Sequence, residues 1–203
     1  MPRLGGLIGF RILGNQSNRS SRVIVAITGL PAARGITGWI GGTTFKLRLM
    51  REGKVSIEEL WEKPSLLRWV AYSRTVPKLP MGDIILGATV TNLPPEVIRA
   101  YEAPFPDEKY KAGACIFPSL VPTQLRENQR VWDEVLSKWK RPFLTAFSDL
   151  DPITAGGERL FQKRIPGVQD REHVTIKGAG HFLQEDKSEE LVRNILNIIE
   201  EDT

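Results

Sequence analysis

Three short apolar runs, and what separates them, constrain the fold of this chain more than any other feature. Arg22–Thr28 is a continuous β-branched run, Pro142–Phe147 a second apolar one, and His173–Lys177 a third that alternates apolar with polar residues. Continuous runs of this kind mark strands covered on both faces, the usual condition of a parallel sheet. None leads into a hairpin turn. Helical periodicity follows instead, and parallel strands need such crossovers to return the chain to the same end. Residues 29–141 separate the first run from the second. The order is strand, long helical insert, strand, helix, strand, helix, the pattern of an α/β core interrupted by a helical lid. A core of three parallel strands is expected from 1–30 and 139–203, and a helical cap from 31–138.

Within this frame, Gly5–Asn15 has apolar residues at helical spacing and ends in Gly14-Asn15, a suitable C-cap. Its glycines suit a helix pressed closely against a sheet. Residues 32–56 carry Gly35, Gly38, Gly41 and Gly42, which interrupt every period, and are expected to be loop. Helical patterns resume over Ile57–Arg74, Pro94–Tyr101 and Lys109–Phe117. Asn128–Lys140 is a clearer amphipathic helix, with Val131, Val135, Leu136 and Trp139 on one face. Helices at Gly157–Arg164 and Ser188–Ile199 close the chain.

Composition excludes several function classes. The chain has 203 residues, 41% of them hydrophobic and 26% charged, as a folded domain requires. Its net charge of +4 is spread along the chain rather than clustered, so a nucleic-acid partner is not expected. Cys115, the one cysteine, excludes an internal disulfide and a multi-cysteine metal site; Ala114-Cys115-Ile116-Phe117 is an apolar setting where Cys is a small hydrophobe. No run is long enough to span a bilayer, and a signal-peptide pattern is lacking, so a cytoplasmic location is the default. No metal and no cofactor are called for.

The chemistry concentrates at the ends of the second and third runs. Ser148-Asp149-Leu150-Asp151-Pro152 follows one, and Gly178-Ala179-Gly180-His181-Phe182 the other. Parallel neighbours bring both loops to one sheet edge, where a carboxylate can hold an imidazole's tautomer and stabilise its charged form. Asp151 and His181 are therefore the candidate acid–base pair. Asp before Pro also caps turns, which is the structural alternative for Asp151. Asp149, one step nearer the strand, is the competing acid and reads better as a structural residue.

The resemblance to a known family rests on these loops and on the cap. Phe143–Thr154 followed by Gly178–Asp186 is similar to the second half of a haloalkane dehalogenase, a family of the α/β-hydrolase superfamily. Ala103-Pro104-Phe105-Pro106-Asp107 with Tyr110-Lys111-Ala112-Gly113 resembles the family's cap segment, the more discriminating motif. Gly5-Gly6-Leu7-Ile8-Gly9 and Thr28-Gly29-Leu30-Pro31 resemble the helix and strand after its nucleophile. The resemblance implies a partial α/β-hydrolase fold acting on a small apolar halogenated substrate. In that family an aspartate displaces halide from carbon to give an alkyl ester. His181 then activates the water that hydrolyses the ester, and Asp151 orients the imidazole. Halide is held by N–H donors, commonly two Trp indoles, and Trp69 in Leu66-Leu67-Arg68-Trp69 matches one such position.

The family's nucleophile and first halide donor are an Asp-Trp pair just before the Gly-Gly, where this chain has Arg3-Leu4. A guanidinium stays protonated and cannot attack carbon, and Leu donates no hydrogen bond. The family's upstream strands also lack a counterpart, about a hundred residues of a single α/β domain. The chain thus reads as the C-terminal portion of such a hydrolase, inactive as written, with an Asp-Trp expected upstream if the start is misassigned. An unpartnered β-branched edge predicts poor solubility or a molten state. The alternatives are an epoxide hydrolase, for which only Tyr72, Tyr101 and Tyr110 offer acid donors, an ester hydrolase, or a non-catalytic remnant.

Overall fold

The computed structural model describes residues 4–169 and 171–200. Arg3, expected from the sequence to stand at the family's nucleophile position, lies outside them. The chain begins with α1 (Leu4–Asn15), β1 (Val23–Ala26) and α2 (Gly35–Glu52). A helical series follows: α3 (Ile57–Glu62), α4 (Leu66–Thr75), α5 (Met81–Gly87), α6 (Pro95–Glu102), α7 (Ala112–Leu120) and α8 (Leu125–Glu134). Then come β2 (Phe143–Ser148), α9 (Glu158–Arg164), β3 (Val174–Ile176), α10 (Leu183–Asp186) and α11 (Ser188–Glu200).

The three strands form one parallel sheet in the order β1-β2-β3. The fold is thus α/β, as expected. All six residues of β2 are buried. Along β1 only Val25 is fully buried, which corrects the reading of that strand as covered on both faces. The reason is its place in the sheet: among the described residues β1 pairs with β2 alone. Ile27, just past β1, is fully buried with a φ of 48°, a costly left-handed conformation for a β-branched residue.

Two compact units emerge. One comprises residues 4–30, Thr89–Thr91 and 130–200 and holds the sheet. Ile27, Ala146, Ile176, Ala179 and Leu183 make one part of its core. Phe161 makes another, stacked on Phe10 and Trp132 at 5.4 and 5.5 Å between ring centroids. A Cβ on Gly6 would fall 2.3 Å from Thr28 Oγ1, and one on Gly14 2.7 Å from Val131 Cγ2. Gly6 thus permits the close approach to the sheet expected of α1, whereas Gly14 brings the helix close to Val131 of α8 instead.

The other unit comprises Pro31–Ala88 and Asn92–Gln129 and is helical throughout. Here the expected loop at 32–56 is instead the eighteen-residue helix α2. Its glycines are not breaks. Built Cβ atoms on Gly38, Gly41 and Gly42 would lie 3.4–3.7 Å from Ala33, Leu125, Arg126 and Pro122, so these positions form a shallow face on which a neighbouring segment rests. Packing of this kind overrides low intrinsic helix propensity. The single helical pattern at Ile57–Arg74 is two helices, α3 and α4, because Pro64 lies between them and Ser56 and Ser65 each cap a new start. Helix α5 has no counterpart among the expected elements, and the pattern over Asn128–Lys140 stops as α-helix at Glu134. Cys115 is half-buried, and burial pushes its thiol pKa up.

Candidate functional site

The loops after β2 and β3 leave the same edge of the sheet, and hydrogen bonds zip them together beyond the strands. The Asp149 amide donates to Ile176 O at 3.2 Å and the Leu150 amide to Ala179 O at 3.2 Å. Ser148 Oγ donates to Gly180 O at 2.8 Å, and the Gly178 amide to Asp149 Oδ1 at 2.8 Å. Gly178 has a φ of 68°, the left-handed conformation that glycine adopts at least cost. Asp149 is therefore occupied in holding the histidine loop.

His181 Nδ1 lies 3.1 Å from Asp151 Oδ1, and the two residues are 1% and 2% exposed. Asp151 also caps the turn after it. Its Oδ1 accepts the Ile153 amide at 2.9 Å, and its Oδ2 accepts the Thr154 amide at 3.1 Å and the Thr154 hydroxyl. The capping role and the histidine contact, weighed as alternatives from sequence, coexist in one carboxylate. A proton on Nδ1 shared with Asp151 leaves Nε2 as the basic nitrogen of the ring. The Phe182 ring meets the imidazole edge-on, with centroids 5.6 Å apart.

Burial raises the Asp151 pKa, but the hydrogen bond and charge of His181, then the bonds from Thr154 and Ile153, outweigh it and hold the carboxyl below 3.8. An acid whose folded pKa is depressed contributes stability above its unfolded pKa and loses it as pH falls through the folded value. The urea midpoint of the chain, read by Trp fluorescence, should therefore fall on acidification below the ordinary carboxylate range. Asp151→Asn, with nothing to titrate, should show a smaller fall.

Trp69 lies on α4 of the helical unit. It is 4% exposed and packs among Leu60, Tyr72, Leu79, Met81 and Ile84. Its indole Nε1 is buried and has no hydrogen-bond partner among the described residues. Buried donors are nearly always satisfied, so an unpaired one calls for an explanation.

Sequence reasoning missed Asp186. Its carboxylate accepts the Gly180 amide at 2.7 Å and the amides of Val90 and Thr91 at 3.0 and 2.7 Å. The available signal was an acid closing the turn after the histidine loop. A group of His, Cys, Asp and Glu able to hold a metal does not occur among the described residues, and no helix among them is long and apolar enough to cross a membrane.

A haloalkane dehalogenase of Psychrobacter cryohalolentis is 40% identical over 200 residues, covering 96% of this chain and 57% of the relative. One from Mycobacterium marinum is 35% identical over 198 residues, covering 95% of this chain and 58% of the relative. The chain is homologous to the haloalkane dehalogenases. It spans a little over half the length of the curated dehalogenases it matches. No protein-family profile matches it. Among solved structures, the tetrameric dehalogenase DpaA of Paraglaciecola agarilytica aligns with a TM-score of 0.65 at 20% identity, over 91% of this chain and 54% of that one. An esterase of Thermogutta terrifontis aligns at 0.61 with 14% identity, over 98% of this chain and 63% of that one. Dehalogenases and esterase thus share the α/β-hydrolase fold, and the sheet described above is part of it.

Proposed function

We propose that this chain is the hydrolytic part of a haloalkane dehalogenase, with His181 as general base, Asp151 as its orienting acid and Trp69 as a halide donor. The observation that carries the reading is the buried His181–Asp151 pair, within a sequence homologous to dehalogenases over almost its whole length. In the first step a nucleophilic carboxylate from outside residues 4–200 attacks the carbon bearing halogen, and halide leaves as an alkyl ester forms. In the second, His181 Nε2 takes a proton from water, the hydroxide attacks the ester carbonyl, and the alcohol departs. Asp151 stabilises the imidazolium between these events. Substrate is expected to be small, apolar and halogenated, and the buried indole of Trp69, without a partner among the described residues, is the N–H donor offered to the halide.

The test joins residues from Gly5 onward to the N-terminal part of the Psychrobacter relative, ending in the family's Asp-Trp. Steady halide release from a short bromoalkane is expected, and turnover of an epoxide or ester in its place would overturn the reading. Trp69→Phe in this graft removes one N–H donor to an anion, worth about 1.5–3 kcal/mol, and should weaken halide binding roughly ten- to hundredfold in fluorescence quenching. An unchanged affinity would return Trp69 to a packing role.

A further inference from the structure

We propose that Asp186 is a positioning residue for His181, which it holds, together with Ser148, by fixing the Gly180 backbone at its N–H and its C=O while anchoring the 89–91 segment. The inference rests on the proposed role of His181 as the base. Its geometry is a three-donor clamp. Asp186 Oδ2 accepts the Gly180 amide at 2.7 Å, Oδ1 accepts the Thr91 amide at 2.7 Å, and the Val90 amide is shared at 3.0 and 3.2 Å. From the other side Ser148 Oγ donates to the Gly180 carbonyl at 2.8 Å. The Gly180 N–H belongs to the peptide before that residue and its C=O to the peptide that carries the His181 nitrogen, so holding both fixes the Gly180 backbone and sets the direction in which His181 leaves the loop. Small displacements of a base are costly, because proton transfer needs hydrogen-bond geometry.

The carboxylate of Asp186 is itself well placed. It ends the single turn of α10, where its own amide donates to Phe182 O at 3.2 Å. Burial raises its pKa, but the amides of Thr91, Gly180 and Val90 outweigh that and hold it below 3.8, so the clamp is ionised at neutral pH. Bonds from amides to a carboxylate are about twice as strong as neutral ones. Residues Thr89–Thr91 are the only part of the stretch between Pro31 and Gln129 that groups with the sheet unit. The clamp therefore ties the chain's brief return from the helical insert to the loop that carries the base. An amide in place of the carboxylate cannot reproduce this arrangement, since its NH2 must face an N–H on one side or the other.

The experiment is Asp186→Asn in the intact chain, at micromolar concentration. Mass spectrometry follows exchange at the imidazole C2–H of each histidine across pH, together with amide exchange. The chain has two histidines, His173 and His181, so each profile is read separately. The substitution should move the pH profile of His181 and raise amide exchange over 178–182 about tenfold, the worth of one charge-assisted hydrogen bond. His173, at the opposite end of β3, should keep its profile. An unmoved His181 profile overturns the proposal. If both histidines change, the unit has unfolded and Ser148→Ala decides: it removes the contact on the other side of Gly180, and movement of His181 alone supports the proposal while no movement overturns it. None of these readouts uses halide release, so failure of the dehalogenase reading would leave them interpretable.

Discussion

His181→Ala in the dehalogenase graft is expected to release about one equivalent of halide per site and then stall as the alkyl ester. Displacement of halide needs a carboxylate nucleophile and N–H donors but no base, so the first step survives. Hydrolysis of the ester needs a proton taken from water, and removing a positioned general base costs roughly 10²–10⁴-fold. Rapid-quench halide measurement would show the burst, and intact-mass spectrometry would show the added alkyl group. The ungrafted chain, in which Arg3 is expected at the nucleophile position, should give neither burst nor turnover. Steady turnover by the His181→Ala graft would show that another group acts as base. Turnover by the ungrafted chain would show that the nucleophile lies elsewhere in these residues.

The second large effect concerns β1. Its outer backbone edge is unpaired among the described residues, and a groove of about 460 Å³ runs beside it, lined by Gly5, Gly6 and Gly9 of α1 and by Val23–Ala26. Ile8 and Ile12 of the same helix are 56% and 58% exposed. A short β-branched edge with apolar residues beside it is a template for pairing with another chain. The isolated chain is therefore expected to associate with rising concentration, as sedimentation velocity would show. Ile24→Lys places a charge on the partly exposed strand and should keep the chain monomeric at several-fold higher concentration. Association that is unaffected by Ile24→Lys would move the interface to another surface, such as the exposed side chains Ile36, Trp39 and Met50 of α2.

The sheet was legible because its signals are local. Val23–Ala26, Phe143–Ser148 and Val174–Ile176 are apolar runs whose periodicity needs no partner to be recognised, and the helix between β2 and β3 implies that they are parallel. The loops were legible for the same reason, since a parallel pair sends both carboxyl ends to one edge. Helix α2 was not legible. Its four glycines argue against a helix in any local scale, and only the segment resting on Gly38, Gly41 and Gly42 makes those positions favourable. Asp186 was hidden for a different reason: its partners at Val90 and Thr91 lie 96 and 95 residues away, beyond any periodic pattern.

By itself, then, the sequence determined the residue types and their order: three strand runs, a helical insert, and an acid and a histidine thirty positions apart on successive loops. Its resemblance to the dehalogenases also led to the expectation that Arg3 stands at the family's nucleophile position. Only tertiary structure decided that one carboxylate of Asp151 both caps its turn and meets His181, that Asp149 is held by Gly178, and that the indole of Trp69 is buried without a partner among the described residues. The reason is that strand and helix propensities act over a few neighbouring residues. Burial and hydrogen-bond satisfaction are settled only when distant segments meet.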